Sequence, residues 1–324
     1  MLDVEQLLAD CLRDARDTPF GTVPVDSRSP SYASARRTFV TAGLSALRDD
    51  LPEAGWVQIG LAPGPPPWTR TYQVLADTAR ELIARGRARS FFFMHKPPGL
   101  RVRFEVSAPG DGDALREELL GRFGHLDGRP GPPLCGVYEP ETYLFGGARS
   151  MRYVHELFTM DSLAWLDHHV GHGEGGGSAR PVADWRVSLA LLSDLLRGLG
   201  VVGWEHRGVW QVVRDEAGRR LAGPAPDDDT RRAAAGIAEA WHAGRDGLLA
   251  PVPPERRAVL EAHGDAVFRA AERWRTGYFE SGQARVGPRR AAAHHAVFHW
   301  NRGRLSLARQ SLLVHALAGD GTPR

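Results

Sequence analysis

The sequence has little cysteine and no long apolar run. Its 324 residues include only two cysteines, Cys11 and Cys135. Two cysteines are too few for a disulfide framework, and these two are too far apart in the sequence to form the closely spaced pair of a zinc site. We therefore expect a reduced, cytoplasmic protein. No apolar stretch approaches the roughly 18 residues that span a bilayer, and the N-terminus lacks the apolar core of a secretion signal. No membrane partner is expected.

The charges of the sequence nearly cancel, with 41 basic and 39 acidic residues. No basic run is interleaved with aromatic residues, which argues against a nucleic-acid partner. The basic clusters at 85–89 and 285–290 are expected to be solvated surfaces. The motifs of P-loop enzymes, dinucleotide-binding enzymes, nucleophile-elbow hydrolases and HExxH zinc proteases are also missing. These common enzyme classes therefore have no support in the sequence.

Hydrophobic periodicity predicts an α+β fold in a single domain, 1–324, with two halves that meet near residue 147. The α/β half, 1–147, carries a small mixed sheet, and the half at 148–324 is mostly helical. Helices are predicted at 3–16, 31–49, 72–87, 113–126, 148–169, 182–199, 229–243, 254–279 and 289–317. Strands are predicted at 56–61, 90–95, 100–107 and 134–138, and the main loops at 171–178 and 221–228.

The strand at 100–107 alternates strictly between apolar and charged residues. Arg101, Arg103 and Glu105 share one face, because successive side chains of a strand point to opposite sides. Two arginines are thus available to a cleft. An exposed polar face explains the same pattern equally well.

The HHVGHGE stretch at 168–174 contains imidazole and carboxylate groups that could bind zinc. The glycines that follow would hold such ligands loosely, so a solvated loop is the preferred interpretation. Near the C-terminus, His295, His299 and Arg302 fall on one helical face. This arrangement suits proton transfer beside a carbonyl or an anion, although spacing alone favours a surface histidine cluster.

The predicted helix at 148–169 carries His155, Asp161 and Ser162 within two turns. They could form a hydrogen-bonded histidine–carboxylate pair at a cleft. They could equally be polar groups satisfied within a helix interface.

Several motifs occur in a fixed order along the chain. They are FMHKPPGLRVRF at 93–104, YEPE at 138–141, FGG at 145–147, VHELF at 154–158 with Asp161 and Ser162, and FHWNR at 298–302. Together they resemble the C-terminal elimination domain of lantibiotic dehydratases, which also occurs free-standing in thiopeptide clusters. The resemblance extends from about residue 56 to the C-terminus.

This resemblance implies one of two activities. Elimination domains remove glutamate from glutamylated Ser or Thr. Pyridine synthases instead join two dehydroalanines in a formal aza-[4+2] cycloaddition, which closes a macrocycle and expels the leader peptide and water. The sequence has Leu144 where elimination domains have Arg, Val297 where they have a catalytic His, and His155 in place of Glu. Glutamate elimination needs such a cation and base, so the departures favour the pyridine synthase.

Under this interpretation, His155 and His299 transfer protons and Asp161 or Ser162 orients them. Arg101 is expected to bind a peptide carbonyl or the leader. Further substrate-binding candidates are Glu141, Arg302, Tyr278, Ser281 and Trp300. The implied partner is a precursor peptide with leader, azoles and dehydroalanines, with other biosynthetic enzymes as further candidates and with no cofactor or metal. Glutamate elimination and an inert peptide-binding role in a modification complex stay open as alternatives.

Overall fold

In the computed structural model, four strands of the described residues form one sheet. The structure describes residues 6–11, 30–49, 55–97, 99–108, 110–128, 133–173, 182–223 and 226–319. The strands are β1 (Trp56–Leu61), β2 (Ala88–Lys96), β3 (Gly99–Val106) and β4 (Leu134–Gly136). Their order is β2-β3-β1-β4, and every neighbouring pair is antiparallel.

The prediction that the sheet is mixed was therefore wrong, while the α+β plan is confirmed. A helix, α3 (Thr69–Ala84), connects β1 to β2, and these two strands do run in the same direction. The short connection after residue 96 folds β3 directly back along β2, and β3 also pairs with β1. Because β3 separates the two parallel strands, no parallel ladder forms.

The helices belong to two compact units, Met1–Pro52 and Glu53–Arg324. The first contains α1, described at residues 6–11, and α2 (Pro30–Asp49), with Leu7, Cys11 and Tyr32 in a small apolar cluster. The predicted helix at 3–16 extends beyond the described residues. The boundary predicted near residue 147 lies inside the second unit. None of the described helices is long and apolar enough to cross a membrane.

The second unit is mostly helical after the sheet. Its helices after α3 are α4 (Gly112–Phe123), α5 (Ala148–Gly173), α6 (Asp184–Gly198), α7 (Glu205–Glu216), α8 (Asp228–His242), α9 (Gly244–Leu249), α10 (Pro254–Trp274), α11 (Pro288–Arg302) and α12 (Leu307–Ala318). A single π-turn, Arg275–Phe279, extends α10. Periodicity missed α7 and α9, and it merged α11 with α12.

Close packing explains why the predicted helix at 289–317 is interrupted. A Cβ atom on Gly303 would lie 2.4 Å from the Trp165 ring, so only glycine fits there. Arg304 follows with a left-handed backbone, φ 55°, which ends α11. The Ser306 side chain then accepts a hydrogen bond from the Arg309 amide and starts α12.

Helix α5 covers the outer edge of the sheet. The backbone N–H groups of Phe91 and Phe93 on β2 donate to the hydroxyl oxygens of Thr159 (3.0 Å) and Ser162 (3.3 Å). An edge strand otherwise exposes such donors. These bonds fix α5 against the sheet and place its polar residues between the sheet and the other helices.

Candidate active site

Asp161 on α5 and two residues on α11 form a buried charged cluster. The Asp161 carboxylate lies 2.5 Å from His299 Nδ1, and it accepts a 2.8 Å hydrogen bond from Arg302 Nη1. All three side chains are at most 2% exposed. Burial by itself would raise the pKa of Asp161, but His299 and Arg302 hold it below its usual value. Asp161 is thus an anion at neutral pH.

The His299 ring is held from its other side as well. Its Nε2 lies 2.9 Å from Ser188 Oγ on α6, and the Trp300 indole N–H donates to the same oxygen at 3.0 Å. Both ring nitrogens of His299 therefore have partners inside the protein. His295, on the same face of α11, is 2% exposed. The surface-cluster interpretation was wrong, because helical spacing carries no information about burial.

Arg302 has hydrogen-bonding capacity that the described residues leave unused. Only Nη1 is bonded, and the fully buried Nε and Nη2 atoms have no partner among the described residues. The guanidinium lies over the Phe158 ring at 4.1 Å and the Phe92 ring at 5.7 Å. Buried donors without partners are rare, because each costs about 1–3 kcal/mol. A hydrogen-bond acceptor placed beside these two nitrogens would therefore be stabilised.

A second polar pair lies beside the same Phe92 ring. The Tyr138 hydroxyl is 2.9 Å from His155 Nε2, and the His155 ring packs 4.5 Å from the Trp56 ring. Burial, together with the Arg103 charge, lowers the pKa of His155 to about 3. Burial also raises the pKa of Tyr138. At neutral pH the phenol is protonated and donates to an uncharged imidazole.

Arg103 on β3 joins this pair to the sheet. Its guanidinium lies 4.7 Å from the Tyr138 ring centre, and its Nε donates to Gln58 Oε1 at 2.7 Å. Burial lowers the pKa of Arg103 to about 10, while Tyr138 and Glu141 act in the opposite direction. Glu141, a predicted substrate-binding residue, is thus within electrostatic reach of the cluster. The predicted alternation of β3 is confirmed, with Arg101 exposed on the same face.

Other predicted site residues already have partners within the protein. Ser162 is fully buried and bonds to the edge of the sheet. Trp300 is also fully buried and stacks on Trp210 with ring centres 6.2 Å apart. Ser281 Oγ donates to the Tyr278 carbonyl oxygen at 2.7 Å. These contacts give each residue a structural role in the described fold.

Tyr278 holds the double-glycine turn that precedes α5. Its hydroxyl donates to the Gly146 carbonyl oxygen at 2.9 Å and accepts from the Arg285 amide at 3.0 Å. Gly146 has φ +89°, and a Cβ atom there would lie 2.2 Å from the Tyr278 hydroxyl oxygen. The FGG motif is therefore required by backbone conformation and close packing.

Sequence reasoning missed two histidines that position the end of α11. His95 Nδ1 lies 3.0 Å from the Asn301 carbonyl oxygen, and His169 Nε2 lies 3.0 Å from that of Arg302. Carbonyl groups in the last turn of a helix lack partners within the helix. The two rings therefore fix the turn that carries Arg302. The position of His95 inside the FMHKPPG motif was the available signal.

The predicted loop at 171–178 overlaps the end of α5. Helix α5 continues to Gly173 because His168 and His169 face inward, toward Asp184 and the end of α11. The residues 174–178 lie outside the described ranges, as do residues 224–225 of the predicted loop at 221–228. No group of three or more potential metal ligands is found among the described residues.

The free energy of unfolding of this protein is expected to decrease strongly as the pH is lowered. Burial lowers the pKa of four histidines, to about 3 for His95, His155 and His295 and about 4 for His169. The unfolded value is near ~6.5, so the stability contributed by the neutral rings is complete above that pH. It is lost as the pH falls toward 4, by about 1.4 kcal/mol per pH unit for each ring.

Urea unfolding followed by circular dichroism at pH 7.5, 6.0, 5.5 and 5.0 measures this slope. We expect the free energy of unfolding to fall by about 5 kcal/mol per pH unit below pH 6. The variant His295→Phe keeps a ring against Phe158 and should reduce the slope by about one quarter. A free energy that is nearly constant between pH 7.5 and 5.0 would contradict the neutral burial of these rings.

Comparisons with known proteins give this site a family context. The family model for the C-terminal region of lantibiotic biosynthesis dehydratases matches residues 56–319. The crystal structure of the tRNA-dependent lantibiotic dehydratase MibB from Microbispora sp. 107891 is similar, with TM-score 0.53 and 18% identity over 92% of this chain. The chain spans 28% of the length of MibB. The crystal structure of TsrL gives TM-score 0.44 and 15% identity over 81% of this chain and 92% of TsrL. No curated protein matches.

Proposed function

Because the chain belongs to the lantibiotic biosynthesis dehydratase C-terminal family, we propose that it is a thiopeptide-type pyridine synthase. Its substrate is a leader-bearing precursor peptide that contains azoles and two dehydroalanines. The observation that carries the proposal is that two groups lie beside the Phe92 ring. They are the Arg302 guanidinium, with two N–H groups that have no partner among the described residues, and the uncharged His155–Tyr138 pair. This arrangement offers two oriented guanidinium N–H donors and a proton relay without a strong base.

The chemistry of pyridine formation matches these groups. One dehydroalanine reacts through the imidic-acid tautomer of its flanking amide, which moves a proton from nitrogen to oxygen and creates a 2-azadiene. Two carbon–carbon bonds to the second dehydroalanine close the ring, and loss of water and of the leader amide makes it aromatic. His155 and Tyr138 would exchange the protons, while Arg302 Nε and Nη2 would bind the amide oxygen. Holding both dehydroalanines together supplies much of the rate enhancement.

The remaining residues of the buried cluster support Arg302 in this proposal. Asp161 neutralises the Arg302 charge and is itself bonded to His299. His299 has both ring nitrogens engaged, so its role in the proposal is to position Asp161 and Arg302. We therefore assign proton transfer to His155 and Tyr138, with Asp161 and His299 as positioning residues.

Glutamate elimination is less well supported by the same site. It requires an additional cation and a base at positions that Leu144 and Val297 occupy, and both of these side chains pack against the core. The neutral His155 is a weak base for an α-proton. Arg302 could still bind a glutamyl carboxylate, so elimination must be an explicit arm of the test.

The test uses the purified protein with two peptides that carry the same leader. One contains azoles and two dehydroalanines, and the other carries glutamylated Ser in place of dehydroalanine. Mass spectrometry is expected to show loss of the leader and of one water from the first peptide, with the second unchanged. Conversion of only the glutamylated peptide would replace the proposal by glutamate elimination. Binding of both peptides without conversion of either would favour an inert peptide-binding component.

A further inference from the structure

A cavity of about 250 Å³ lies between the segment that follows α7 and the last turns of α12. Its polar lining consists of Arg214, Arg219, Arg220 and His315, and Leu221 and Ala318 contribute apolar surface. None of these residues belongs to the candidate active site, and no carboxylate of the described residues lines the cavity. The volume is below the roughly 300–1,000 Å³ of pockets for drug-sized ligands. The space therefore suits a small ion or a single side chain.

Two of the arginines are fixed by carbonyl groups at the end of α7. The Arg219 guanidinium donates through Nη1 to the Ala217 carbonyl oxygen, and Arg220 Nε donates to that of Arg214 at 3.3 Å. Carbonyl oxygens at a helix C-terminus lack partners within the helix and attract positive charge. These bonds occupy one N–H group of each guanidinium and hold both side chains beside the cavity that they line.

A buried glutamine holds Arg219 from another side. Arg219 Nε donates to Gln310 Oε1 at 2.8 Å, and the Gln310 amide nitrogen donates to the Leu305 carbonyl oxygen at 2.8 Å. Gln310 is 3% exposed, so its amide is fixed and it fixes the guanidinium in turn. The remaining nitrogen, Nη2, makes no hydrogen bond to any residue that the structure describes. This nitrogen is therefore available to an acceptor in the cavity.

The described carboxylates do not balance the charge of these two arginines. Arg220 Nη2 lies 2.9 Å from Asp215 Oδ1, but the same oxygen also accepts from Arg214 at 3.2 Å. Arg219 has no ion pair with a carboxylate in the described ranges, and burial lowers its pKa with no acidic group acting in the opposite direction. Positive charges held close together repel each other. An anion in the cavity would offset that repulsion.

We propose that this cavity binds a small oxyanion, which is either a phosphate group or the carboxylate of an acidic side chain. Arg219 Nη2 and Arg220 Nη1, which the described residues leave unbonded, donate to its oxygens. A guanidinium suits this role because its donors form a fixed planar fork that matches such groups. The His315 ring lines the same cavity and adds a further donor. The site is separate from Arg302, so the inference stands independently of the proposed reaction.

The test is isothermal titration calorimetry at pH 7.5 and constant ionic strength, in a buffer that contains no other oxyanion. The ligands are inorganic phosphate and two capped residues, N-acetyl-glutamate amide and N-acetyl-glutamine amide. The glutamine compound has the shape of the glutamate compound without its charge. The variants are Arg219→Gln, Arg219→Lys and Arg220→Gln. The matched control is Arg116→Gln, at an exposed arginine on α4 whose partner is Asp113.

The unmodified protein is expected to bind at least one of the two anions at a single site and to show no measurable binding of the glutamine compound. Arg219→Gln and Arg220→Gln should each raise the Kd about tenfold or more, because each removes a charge-assisted hydrogen bond. Arg219→Lys should have a smaller effect, since it keeps the charge, and Arg116→Gln should stay within about twofold. Thermal unfolding without ligand shows whether each variant is folded. The Arg220 side chain is 63% exposed, so Arg220→Gln keeps the test decisive if Arg219→Gln does not fold.

The two anions distinguish the sources of the ligand. Tighter binding of phosphate would assign the cavity to a phosphate group, and tighter binding of the glutamate compound would assign it to a peptide carboxylate. Either result supports the proposal. Unchanged affinity in both glutamine variants, equal weakening in Arg116→Gln, equal binding of the uncharged compound, or no saturable binding of either anion would overturn it.

Discussion

Replacing His155 by Gln is expected to slow pyridine formation by about 10²–10⁴-fold, the usual contribution of a positioned acid–base group. Glutamine retains a hydrogen-bonding partner for Tyr138 but cannot accept and return a proton. Tyr138→Phe, which removes the phenolic proton and keeps the ring beside Trp56, should give a similar loss. The measurement is the single-turnover rate by mass spectrometry at saturating enzyme.

The control for this experiment is His125→Gln, at an exposed histidine after α4. Its rate should match that of the unmodified protein. Thermal unfolding of each variant separates a slow reaction from a loss of folded protein. Rates within twofold for both His155→Gln and Tyr138→Phe, in folded protein, would remove this pair from the reaction.

Removing the Asp161 carboxylate is expected to produce the largest loss of stability of any single charge substitution in the described site. In Asp161→Ala, Arg302 would remain fully buried without a counter-charge, and His299 Nδ1 would keep only the Trp165 indole N–H as a partner. Breaking a buried ion pair on one side costs about 3–5 kcal/mol. Urea unfolding at pH 7.5 measures the difference in the free energy of unfolding.

Asp167→Ala on the same helix is the matched control. Asp167 bonds to Arg80 at 2.6 Å and to His263 at 2.7 Å, but its side chain is 26% exposed. Solvent-exposed pairs contribute about 1 kcal/mol or less. The double variant Asp161→Leu with Arg302→Met removes both buried charges and should recover much of the loss. Equal effects of Asp161→Ala and Asp167→Ala would show that the buried cluster has no special energetic role.

Local periodicity was sufficient to predict those features of the fold that depend only on residues close together in the sequence. The strand β3 was predicted with its two faces, because alternation within eight residues determines which side chains share a side. The relation of His299 to Arg302 on one helical face was also predicted, since three residues nearly complete a turn. Both features follow from the backbone geometry of a single element.

The burial and the partners of the site residues depend on tertiary packing and could not be predicted this way. Asp161 and His299 are 138 residues apart in the sequence, and nothing in either local pattern selects the other. The interruption between α11 and α12 likewise depends on Trp165, which a distant helix supplies. Tyr138 was noted only as a family marker, because its contact with His155 arises from packing against Trp56 and Phe92.

The fate of one oxygen atom tests the proposed reaction most directly. In the cycloaddition, the amide oxygen that becomes the imidic-acid hydroxyl leaves as water when the ring becomes aromatic. A substrate peptide labelled with ¹⁸O at the carbonyl of the residue that precedes the azadiene-forming dehydroalanine should therefore give an unlabelled pyridine product and labelled water. A product that retains the label, or glutamate release without ring formation, would contradict the account.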